Sequence, residues 1–105
     1  MSMPLVRDST AVSALRREID AIDDDLMRLL SRRFDVCMRI SRLKETLGLP
    51  VVVHDREEHV LDRIATRASE RGISPEFARH LWSAIIEQAR AVENETMSRE
   101  RSDRH

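Results

Sequence analysis

The stretch from Ala11 to Thr46, AVSALRREIDAIDDDLMRLLSRRFDVCMRISRLKET, contains neither glycine nor proline. Its apolar positions are Leu15, Ile19, Ile22, Leu26, Leu29 or Leu30, Val36 or Cys37, Ile40 and Leu43, recurring at alternating steps of three and four. That period marks one face of a helix. Ser9 or Thr10 is placed to cap its start, and Gly48 with Pro50 to end it. At 1.5 Å per residue such a helix is roughly 54 Å long, more than the width of a small domain. The remaining chain is too short to cover the whole stripe, so a second copy is the simplest cover.

Working outward, the joint Leu47 to His54 holds the β-branched run Val51-Val52-Val53 and is predicted to be extended. Asp55 followed three residues later by Glu58 reads as a capping box opening a second helix. That helix would bury Val60 or Leu61, Ile64 and Ala68, and end at Arg71-Gly72. Ser74-Pro75 reads as an N-cap followed by proline at the first helical position. The third helix presents Phe77, Leu81, Ile85, Ala89 and Val92, flanked by Trp82 and Ile86. Residues 1–10 are expected to be a flexible N-terminus, 11–97 the folded helical domain, and 98–105 a polar, frayed tail. The fold class is therefore all-α: one long helix and two shorter ones, completed as a homodimeric bundle.

Composition narrows the function classes. Across 105 residues the net charge is only -1, which speaks against a nucleic-acid partner. Cys37 is alone, and the four histidines lack metal-motif spacing, so neither a disulfide framework nor a zinc site is expected. No apolar run is long enough for a membrane span. No secretory signal is visible, and with one free thiol this points to a reducing cytoplasm.

Charge falls where core residues belong. The stepping Val12, Arg16, Ile19, Asp23, Leu26, Leu30, Arg33, Cys37, Ile40, Lys44 carries cations along the apolar stripe. Arg33 and Lys44 are three helical turns apart, projecting within about 20° of each other at a separation of about 16 Å. Long side chains there can converge on one small anion, whereas burying them unpaired is costly. Snorkelling to solvent is the ordinary alternative for any one of them. Arg16 lies about 25 Å from Arg33, so it can share that site only from another chain. An antiparallel partner with its two-fold near Met27 would deliver it. On the second helix Glu57 falls in register with Leu61, Ile64 and Ala68; on the third, Glu93 aligns with Trp82, Ile86, Ala89 and Met97. Inward acids and cations together describe a polar pocket for a small polyanion bearing hydroxyl or ether oxygens.

Over roughly residues 12–97 the chain resembles the all-helical chorismate mutases. The match rests on Leu15-Arg16-Arg17-Glu18-Ile19-Asp20, Ile22-Asp23, Arg32-Arg33, Ile40 through Lys44, His54-Asp55-Arg56-Glu57 and Ile85-Ile86-Glu87. The resemblance implies an intertwined homodimer that converts chorismate to prephenate without a cofactor. It implies that Arg33, with Arg16 of the partner subunit, holds the two substrate carboxylates. Lys44 would donate to the ether oxygen and a carboxylate. Glu57 would accept from the ring hydroxyl, with Arg56 supporting the pocket, and Glu93 would face the ether oxygen. Val53 stands where some relatives carry an acid, leaving only its backbone for contact, and Ala89 stands where a small hydroxyl residue occurs. Because an ionised Glu93 would repel the developing oxyanion, activity is expected to fall as rising pH ionises it.

Two sister activities fit nearly the same pocket: a mutase acting on 4-amino-4-deoxychorismate, and an isochorismate lyase releasing pyruvate and salicylate. Arg56-Glu57 favours chorismate, while Val53 and Ala89 keep the amino substrate in view. A non-catalytic helical dimerisation or regulatory module accounts for the long helix but leaves the inward Arg33, Lys44 and Glu57 as coincidence. The resemblance also leaves room for a larger pathway enzyme as partner.

Overall fold

The computed structural model describes residues 3–50 and 54–103, and these form three helices: α1 (Met3–Leu47), α2 (His54–Glu70) and α3 (Pro75–Asp103). The protein is all-α, as its periodicity requires. Of the joint expected to be extended, residues 51–53, Val53 among them, lie outside the described residues, while Leu47 is the last residue of α1 and His54 the first of α2.

The C-terminal ends of α1 and α2 show why each of these helices stops where it does. Gly48 takes a left-handed conformation, φ 71°, and donates to the Glu45 carbonyl while Leu49 N–H donates to the Lys44 carbonyl at 2.8 Å. Gly72 repeats the arrangement, φ 72°, with Gly72 N–H on Ser69 and Ile73 N–H on Ala68. These are paired Schellman closures, which occupy the orphan carbonyls of a helix end. Ser74 caps α3, its Oγ accepting from Phe77 N–H at 3.2 Å.

Three boundaries differ from expectation. Helix α1 begins at Met3, so Ser9 and Thr10 lie inside it rather than capping it. Pro4 permits this because it sits in the first turn, where an N–H has no intrahelical partner to lose. Helix α2 begins at His54, placing Asp55 within the first turn, where with Glu57 it complements the positive end of the helix. Helix α3 continues to Asp103 instead of fraying near Ser98. Its last turns are tied to the end of α1 by Arg42–Glu100 at 2.5 Å and Arg101–Glu45 at 3.8 Å.

The chain divides into two compact units, Met1–Asp35 and Val36–His105, with the boundary inside α1. In the first unit the stripe predicted from the sequence is there but uncovered: Leu15, Ile19, Ile22, Leu26 and Leu29 are all exposed, Leu26 at 59%. In the second unit α2 packs on α3. Arg79 reaches back to Asp62 at 2.5 Å and Arg90 pairs with Glu57, so the two helices run antiparallel. Among the described residues the buried side chains are Met38, Ala68, Ala78 and Ala89. Three alanines let the backbones approach closely. Phe77 and Leu81, expected to face the core, are 59% and 41% exposed, because α2 alone does not reach over that face.

Candidate active site

Each predicted site residue can be placed from its helix. Arg16 and Arg33 both stand on α1 within the first unit, Arg16 exposed and Arg33 half-buried. Seventeen residues of helix separate them by about 25 Å, so one chain cannot close both guanidinium groups on one small dicarboxylate. Lys44 is half-buried in the last turn of α1, in the second unit. Its turn is anchored by the Gly48 closure, where the Lys44 carbonyl accepts from Leu49.

Helix α2 supplies Arg56, exposed, and Glu57, half-buried in its first turn. Glu57 is ion-paired with Arg90 of α3. The two border a cleft of about 150 Å³ that also touches Leu61, Ser83, Ile86 and Glu87. Ala89 is 5% exposed and makes part of the core rather than an open wall. Glu93 lies four residues further along α3, on the same face as Ala89. Half-buried itself, it lines a larger cleft of about 450 Å³ with Ser41, Glu45, Leu49, Asn94 and Met97.

The structure thus brings Glu57 to Arg90, and Glu93 to the end of α1, as two separate clefts of one chain. Val53 falls outside the described residues. Arg90 was missed by the sequence reading, although the signal was available. The register Ile86, Arg90, Glu93, Met97 steps by four, three and four, so a cation follows the same inward line as Glu93. Among the described residues no helix is long and apolar enough to cross a membrane.

Such an arrangement suits binding and electrostatic work. Guanidinium forks match carboxylates geometrically, an ammonium donates to an ether oxygen, and half-buried acids accept from hydroxyls.

The family model described as chorismate mutase type II matches residues 15–94. The 4-amino-4-deoxychorismate mutase of Streptomyces venezuelae is 36% identical over 93 residues, covering 89% of this chain and 90% of the relative. That of Streptomyces pristinaespiralis is 33% identical over 80% of this chain and 65% of its own length. The chorismate mutase of Methanocaldococcus jannaschii is 24% identical, covering 80% of this chain and 85% of the relative. With its family match spanning most of α1, all of α2 and most of α3, the chain belongs to the type II chorismate mutases.

Proposed function

We propose that the protein is a homodimer that rearranges chorismate to prephenate in the cytoplasm, with each site completed by the partner subunit's Arg16. The observation that carries this reading is the half-burial of Arg33 and Lys44 on the face of α1 that also carries Leu26, Leu30, Cys37 and Ile40. Held there, the two side chains suit a small ligand that carries carboxylates. The uncovered stripe of the first unit supports the dimer. Covering one such side chain fully is worth about 1.5–3 kcal/mol.

In the rearrangement the ether C–O bond breaks as a C–C bond forms between the enolpyruvyl methylene and the ring. No proton, electron or group leaves the molecule, so no nucleophile or cofactor is called for. Arg33 and the partner subunit's Arg16 hold the two carboxylates, fixing the folded conformer in which the reacting carbons approach. Lys44 donates to the ether oxygen, where negative charge grows in the transition state. Glu93, when protonated, donates there too. Glu57 accepts from the ring hydroxyl, with Arg56 beside it. A valine at position 53 leaves only backbone for contact, and Ala89 offers no hydroxyl to a carboxylate.

The deciding experiment mixes purified protein with chorismate, follows its loss and identifies the product. Prephenate, formed at a rate that Arg33→Ala abolishes, supports both activity and site. A folded, dimeric protein that leaves chorismate untouched defeats the reading.

A second reading has its own support: the two Streptomyces relatives are named as mutases of 4-amino-4-deoxychorismate. Val53 and Ala89, standing where some relatives carry an acid and a small hydroxyl residue, agree with it. Turnover of both substrates side by side separates the two.

A further inference from the structure

We propose that Arg90 is a positioning residue that decides which ring substituent the site accepts, selecting a neutral hydroxyl over an ammonium. The inference rests on the mutase reading above and deepens it. Arg90 and Glu57 are ion-paired across α2 and α3, with side chains 36% and 31% exposed. They border one cleft together with Leu61 and Ile86. Arg90 also precedes Glu93 by three residues and is therefore its neighbour on the surface of α3.

Glu57 is the group assigned to the ring substituent. A carboxylate in a partly desolvated cleft, left to itself, prefers a cation to a hydroxyl. An alkylamine is largely protonated at neutral pH, so the amino substrate would offer that cation. In this chain the position beside Glu57 is already taken by a guanidinium. An approaching ammonium meets that positive charge, whereas a hydroxyl needs only one free carboxylate oxygen to donate to. Glu87 lines the same cleft, but it is exposed and its charge is screened by solvent. The pair therefore works as a filter on charge.

A pair this exposed also serves as an ordinary staple between helices, worth little in itself. The two roles differ in what they do to selectivity. Losing a staple slows both substrates alike; losing a filter changes their ratio.

The test compares kcat/KM for chorismate and for 4-amino-4-deoxychorismate in the native dimer, Arg90→Met and Arg90→Lys. Arg90→Met is expected to lower the preference for chorismate about tenfold, and Arg90→Lys to keep it within about twofold. A ratio unmoved in Arg90→Met, or moved toward chorismate, overturns the proposal. Should Arg90→Met not fold, the native protein supplies the answer as pH rises from about 7 to 10 and the amine loses its proton. The preference for chorismate then narrows if Arg90 repels the ammonium, and widens if Glu57 was attracting it; widening overturns the proposal. A native protein that turns over neither compound overturns the mutase reading and this inference with it, whereas turnover with an unmoved ratio overturns the inference alone.

Discussion

The two halves of this chain solve the burial problem differently. From Val36 onward, α2 and α3 pack on each other over Ala68, Ala78 and Ala89, with the ends of α1 and α2 closed by glycines and the start of α3 by a serine. Before that, α1 is a single amphipathic helix whose Leu15, Ile19, Ile22, Leu26 and Leu29 stay in water. Nothing in local helix propensity separates the two, since both are rich in good helix formers. What separates them is the presence of a second element within the same unit. A helix with a long apolar face and no partner of its own is stable when another chain supplies one. The polar positions on that face then become shared property, which is why Arg16 belongs to the neighbour's site in the proposed dimer.

The sharpest way to break this contrast is to put a charge into the uncovered stripe. Leu26→Asp is expected to abolish the dimer, and with it nearly all turnover, because a buried unpaired carboxylate costs several kcal/mol. Sedimentation and circular dichroism check both consequences. A Leu26→Asp protein that stays dimeric and active would mean that the stripe is not the interface.

Next in size is the effect of the arginines. Arg16→Ala and Arg33→Ala are each expected to lower kcat/KM by about 10²–10³ while leaving the helical signal unchanged. Refolding the two variants together in equal amounts tests the sharing directly. Half of the dimers would be mixed, and each of these would carry one intact site, giving roughly a quarter of native turnover. If both arginines acted within one chain, the mixture would recover nothing.

Much of this was legible in the sequence because helices report on themselves. The three/four stepping from Leu15 to Leu43, the glycines at 48 and 72, and Ser74-Pro75 are local signals, and each produced the element it announced. The start of α1 was harder to read. Ser9 and Thr10 are good caps, but a helix passes through them when nothing upstream stops it, and Pro4 in the first turn does not. The end of α3 was misread for a different reason. Glu100 and Arg101 look like a solvated tail until Arg42 and Glu45, more than fifty residues earlier, are brought beside them. Arg90 is a mixed case: its inward register with Ile86 and Glu93 is legible, but its partner Glu57 is in another helix, and pairing between elements leaves no periodic trace. For the site, composition and register pointed to inward charges, while the roles given to Arg16, Lys44 and Glu93 came from the family resemblance.

Two acids sharpen the comparison within the second half of the chain. In the proposed site Glu93 helps by donating to the ether oxygen where charge grows, which a bare carboxylate would oppose. Glu93→Gln, which keeps a donor there, is therefore expected to retain turnover that Glu93→Ala loses. Glu57 differs in kind: it accepts, so Glu57→Gln should lower turnover. Equal turnover in native protein and Glu93→Ala would place Glu93 outside the chemistry.

The smallest effect expected lies where α3 meets the end of α1. Arg42–Glu100 and Arg101–Glu45 join half-exposed or exposed side chains, so each contributes no more than about 1 kcal/mol and is weakened by salt. Their position gives them more influence than their strength suggests. Arg42 and Glu45 flank Lys44, and Arg101 and Glu45 line the cleft that holds Glu93. Glu100→Gln should therefore lower the melting temperature by only a few degrees, while exposing the amides after Ser98 to faster hydrogen exchange. The charge-reversed pair Arg42→Glu with Glu100→Arg should restore protection that either single change removes. Protection restored in the double variant would make the ion pair the reason α3 runs on to Asp103. If the exchange rates of the single and double variants were the same, helix propensity alone would extend α3, and the two ends would merely lie side by side.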